Sequence, residues 1–105
     1  MSYNGVDEFD KTIDSGDKCY QKAMILICEK RYIEARAYFS DAISFYIKAE
    51  NIAVKMKNDG LIIYAKNKKE KAEQEREGAI DLFYEYDQDF EEKEMWKHFF
   101  FTLLF

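Results

Sequence analysis

Residues 32–57 read YIEARAYFSDAISFYIKAENIAVKMK, and their spacing settles the fold class. They sort into columns seven apart. Ala35, Ala42, Ala49 and Met56 form one column, Tyr38, Phe45 and Ile52 a second, and Phe39, Tyr46 and Ala53 a third. Beside this apolar stripe runs a column that is charged throughout: Glu34, Asp41, Lys48 and Lys55. A sevenfold period with three adjacent apolar columns marks an amphipathic helix in near-parallel bundle packing, crossing its neighbours at about 20°. A strand would repeat every two residues, so it is excluded. At 1.5 Å per residue the stretch spans roughly 39 Å and needs partner helices of comparable length.

On the N-terminal side, residues 18–30 carry Tyr20, Ala23, Met24 and Ile27 at helical spacing, flanked by Cys19 and Leu26. They predict a wide-faced first helix, with a short connection at residues 29–31. Upstream, Asn4-Gly5 and Asp14-Ser15-Gly16-Asp17 carry turn chemistry, with Ser15 or Asp17 as the helix N-cap. Residues 1–16 are accordingly expected to be a flexible or short-helical start, with Val6, Phe9 and Ile13 supporting two loose turns. On the C-terminal side, Asn58-Asp59-Gly60 predicts a sharp stop, because asparagine and glycine tolerate the left-handed conformation that closes a helix. A third helix is expected from about residue 61 to 86. Its ends are apolar, but between residues 66 and 77 only Ala72 is, within the sevenfold column Ala65, Ala72, Ala79.

The whole chain has 105 residues, no proline and a net charge of -5, with 48% hydrophobic and 35% charged residues. That composition belongs to one folded domain and excludes collagen-like, disulfide-scaffold and disordered classes. The acidity is concentrated in residues 84–105, where six acids and two lysines leave -4. The sign is wrong for a protein built to neutralise phosphates, so no nucleic-acid role is expected. Cys19 and Cys28 lie far from the single histidine, His98, which argues against a zinc site and for small core thiols in a reducing compartment. His98 has no acid near it in sequence except Glu94, and no phosphate loop or nucleophile elbow is present. Neither catalysis nor a cofactor is expected. Without a signal segment or an apolar run of about 20 residues, the chain reads as soluble and cytoplasmic.

The stripe of residues 32–57 meets a third helix too polar at its centre to cover it. A shallow trench is therefore expected between helices 2 and 3, formed by Tyr38, Ala42, Phe45, Lys68, Lys69, Ala72 and Arg76. An amphipathic partner helix would dock there, its acidic flank steered by Lys68, Lys69 and Arg76. The alternative is that helix 3 turns Ala72 inward and its charges are merely solvated. The tail divides into acidic residues 85–94 and an aromatic run, residues 95–105, with Trp96, Phe99, Phe100 and Phe101. Three uses are open for that run: folding back as a fourth helical segment, contact with a partner or membrane surface, or a native chain that continues differently. The expected architecture is an all-α antiparallel three-helix bundle at residues 17–86, followed by an acidic then aromatic tail at 87–105.

Ala23, Tyr32, Ala35, Phe39, Ala42, the pair Phe45-Tyr46 and Ala49 resemble the first hairpin of MIT (microtubule-interacting and trafficking) domains. The same small-large alternation is also similar to one tetratricopeptide repeat. Lys71-Ala72-Glu73 is similar to the Arg-Ala-Glu of the MIT third helix, which favours that family. The chain departs from the MIT pattern at Ile27, where an acid is usual, and at Lys68 and Lys69, where a tyrosine and an apolar residue are usual. The resemblance implies a non-catalytic three-helix module that binds helical tail peptides of membrane-remodelling filament proteins. The groove would lie between helices 2 and 3 or between helices 1 and 3, with recruitment to endosomal membranes through partners. The alternative function is a structural, self-associating helical scaffold whose exposed aromatics form a homo-oligomer interface.

Overall fold

A computed structural model describes residues 5–84 in full and the backbone alone for residues 85–104. Three helices follow one another: α1 (Gly5–Cys28), α2 (Tyr32–Lys55) and α3 (Asp59–Leu104). They pack as an all-helical bundle in which α2 is central. Both α1 and α3 run antiparallel along it and scarcely approach each other. No strand occurs among the described residues. The expected fourth segment and every use suggested for residues 95–105 lie outside the fully described residues.

The core is built on small residues. Ala35, Ala42 and Ala49 of α2, Ala23 of α1, and Ala65 and Ala72 of α3 are all at 0% exposure. Without long side chains at these positions the helix axes come close, and the larger Phe9, Leu26 and Phe39 fill the space alongside. The buried residues form two clusters. One runs from Phe9 and Ile13 through Tyr46 and Ile52 to Ala65 and Ala72. The other gathers Ala23, Leu26, Ala35, Phe39 and Ala79. Tyr20 packs against both and meets Phe39 edge-on at 5.5 Å between ring centroids.

Two expected breaks fall differently. No turn interrupts residues 14–17, because α1 passes straight through Gly16. That glycine serves packing. A Cβ there would stand 2.6 Å from Cε1 of Tyr46, closer than real atoms come. Between α2 and α3, the left-handed residue is Lys57 (φ 55°), not Asn58 or Gly60. The Lys57 amide donates to the Val54 carbonyl at 3.0 Å and the Asn58 amide to that of Ala53 at 3.1 Å. This is a Schellman closure of α2. Asn58 instead starts the next helix, its Oδ1 accepting the Leu61 amide at 3.1 Å as an N-cap. Residues 29–31 form the other connection, again closed by a left-handed lysine, Lys30 (φ 61°). There the Arg31 amide donates to the Leu26 carbonyl at 2.9 Å.

Candidate functional site

The trench expected between α2 and α3 is closed. Ala42, Ala49 and Ala53 of α2 share one core cluster with Ala65 and Ala72 of α3. Ala42 and Ala72, both at 0% exposure, present nothing to a ligand. Helix α3 meets α2 through its alanine column and splays the long cations of its waist to either side.

Those cations are engaged within the chain. Lys68 Nζ donates to Asp17 Oδ1 of α1 at 2.9 Å and lies 5.2 Å from the ring centroid of Tyr64. Lys69 Nζ forms an ion pair with Glu50 Oε2 of α2 at 3.6 Å. Arg76 Nη1 donates to Ser40 Oγ at 3.3 Å. Ser40 and Glu50 thus mark the flank of α2 that faces α3. At about 100° per residue, Tyr38 and Phe45 stand roughly 120–160° around the helix from them. They lie on the α1 flank, where the Asp41 carboxylate acts on the Cys19 thiol of α1 and, with burial as the larger cause, pushes it up. In their column, exposure falls from Tyr38 through half-buried Phe45 to buried Ile52. The seven residues assigned to one surface are therefore divided among a sealed core, two flanks and a set of internal ion pairs.

A different groove is present. Because α1 and α3 make few contacts with each other, a crease marks the line where they meet, with buried Tyr46 of α2 beneath it. Side chains fill it. Phe9 and Tyr64 lie 6.4 Å apart between ring centroids. Lys71 Nζ sits 5.9 Å from the Tyr20 ring. Asp17 forms the central bridge, its Oδ1 accepting from Lys68 and from the Tyr46 hydroxyl at 2.6 Å. Burial first, then this hydrogen bond and the Asp17 charge, push the Tyr46 phenol far above the ordinary tyrosine value. For Lys68, burial alone would lower the ammonium, but the hydrogen bond and charge of Asp17 outweigh it and the net shift is upward. Towards the two ends the crease turns apolar, with Val6 and Tyr64 each 48% exposed at one end and Leu82 41% exposed at the other. Tyr64, Lys68, Lys71 and Glu75 succeed one another three or four residues apart, with Leu82 seven further on, so one face of α3 lines it throughout.

Of the expected site residues, only Lys68 lines this crease. Asp17, Tyr20, Tyr64 and Lys71 were not singled out as site residues. The signal available for them was the three- and four-residue spacing of Tyr64, Lys68 and Lys71, hidden because Lys68 and Lys71 read as solvated charge. Among the described residues no cluster of His, Cys, Asp and Glu is placed to hold a metal ion, and no described helix is long and apolar enough to cross a membrane. Comparison of the chain with protein-family models, curated proteins and solved structures found no match.

Proposed function

We propose that this chain is a non-catalytic protein-interaction module that receives an amphipathic helix in the crease between α1 and α3. The supporting observation is that α1 and α3, each packed along α2, make few contacts with each other, so the line where they meet is covered mainly by side chains. Apolar ends at Val6, Tyr64 and Leu82 suit the apolar face of a docked helix, read at three- and four-residue spacing. Lys71, exposed and stacked on Tyr20, suits an acidic flank on that partner. The likeness of the first hairpin to MIT domains makes tail helices of membrane-remodelling filament proteins the first partner class to test. Endosomal recruitment would be their cellular consequence.

The test is amide shift mapping with a synthetic acidic amphipathic helical peptide. Shifts confined to α1 and α3 amides lining the crease, and weakened at least tenfold in affinity by Tyr64→Ala with Lys71→Glu, support the proposal. Binding that this double variant leaves unchanged, or no binding to any such peptide, would remove it. Both substituted residues are exposed, so the bundle itself should survive the changes.

A further inference from the structure

The outer side of α2, bordering α3 at Ser40, carries a second seam. Its residues recur at the a and d spacing of a coiled coil: Ile33, Ser40, Ile47 and Val54 in one column, Ala37, Ser44 and Asn51 in the other. None is charged, in a chain that is 35% charged. Ile33, Ile47 and Val54 are 66%, 43% and 54% exposed. Ala37, Ser44 and Asn51 are exposed too, and only Ser40 is half-buried. Among the described residues only Arg76 of α3 reaches the seam, at its Ser40 edge.

We infer that the seam is a self-association surface on which a second copy of this chain docks antiparallel, α2 against α2. Two features fix that occupant. The first is shape. Antiparallel docking with Ser44 opposite Ile47 of the second copy also sets Ala37 opposite its Val54 and Ser40 opposite its Asn51. Each of these three layers then joins a small residue to a larger one, and the polar Ser40 and Asn51 meet each other. A parallel pair would instead stack Ser44 on Ser44 and Ala37 on Ala37, leaving gaps beside crowded Ile47 layers.

The second feature is charge. The column flanking the seam reads Glu34, Asp41, Lys48, Lys55, acids in its first half and bases in its second. An antiparallel pair brings this column against its own copy, reversed. Asp41 meets Lys48 of the second copy, Glu34 meets its Lys55, and both pairs recur by symmetry. Among the described residues, Asp41, Lys48 and Lys55 have no ion-pair partner within the chain. Glu34 is shared with Arg31, so the Asp41–Lys48 contacts carry more of the selection. The crease lies on the other side of α2, so the dimer leaves it uncovered. The dimer is independent of the function proposed above.

Mass in solution across a concentration series tests this. The full chain is expected to approach twice its 12.6 kDa. Lys48→Glu with Lys55→Glu makes the column wholly acidic, and Glu34→Lys with Asp41→Lys makes it wholly basic. Each double variant alone is expected to stay monomeric with unchanged helix content, and an equimolar mixture of the two is expected to recover the dimer. A wild-type chain that remains monomeric into the millimolar range overturns the inference, whatever the variants do. A dimer that either double variant leaves intact overturns it as well, since the interface would then lie elsewhere.

Discussion

Gly16 and Gly78 both sit inside helices, yet they respond oppositely to alanine. Alanine is the better helix former by about 1 kcal/mol. At Gly78 a Cβ meets nothing within 4 Å, so Gly78→Ala should stabilise the protein by about that amount. At Gly16 the new methyl would press on the Tyr46 ring, whose hydroxyl is tied to Asp17 and which therefore cannot swing aside. Overpacking of this kind costs about 1–3 kcal/mol, so Gly16→Ala should lower the denaturation midpoint. Equilibrium urea unfolding of the two variants checks both signs, and a stabilised Gly16→Ala would mean that α1 and α2 are not this close.

At the scale of the element, each connection places a lysine where glycine would be at ease. A left-handed non-glycine residue costs about 1–2 kcal/mol, only part of which glycine's extra freedom in the unfolded chain takes back. Lys57→Gly is therefore expected to raise stability by roughly 0.5–1 kcal/mol, and Lys30→Gly similarly. Asn58→Ala should cost about 1 kcal/mol by removing the N-cap of α3. Thermal unfolding of the three variants distinguishes these roles. If the stop were made by Asn58 in the left-handed conformation, Asn58→Gly would stabilise and Lys57→Gly would not. Helix α2 and its columns were legible from sequence because periodicity is a local property. The exchange of roles between Lys57 and Asn58 was not, since it depends on which carbonyls remain free at the end of the helix.

For the whole molecule, the bridge of Asp17, Tyr46 and Lys68 pins one residue from each helix to a single carboxylate oxygen. Tyr46 and Lys68 both have folded pKa values above their ordinary ones of 10.0 and 10.5. Their contribution to stability is therefore complete below about pH 10 and is lost as pH rises through the folded values. Chemical denaturation followed from neutral to strongly alkaline pH should show the wild type weakening above pH 10. Tyr46→Phe with Lys68→Met should start less stable but show a shallower alkaline fall. A residual slope is expected from Tyr20, which burial also pushes up. An identical fall in the variant would mean that other groups govern the alkaline limit.

Sequence by itself determined that this protein is helical, that α2 is amphipathic with small and aromatic columns, and that Ala65, Ala72 and Ala79 form one column along α3. Each follows from side-chain spacing along one helix, which no neighbour can alter. Only the tertiary structure decided how α3 is turned about its own axis, and with it the fate of Lys68, Lys69 and Arg76. The same holds for Gly16, whose place in a helix depends on a tyrosine thirty positions away in the chain. The surface anticipated between helices 2 and 3 failed for this reason. Tyr38 and Phe45 share an apolar stripe with Ala42, but alanine columns draw the helices together along the centre of that stripe and leave its edges on opposite sides of the bundle.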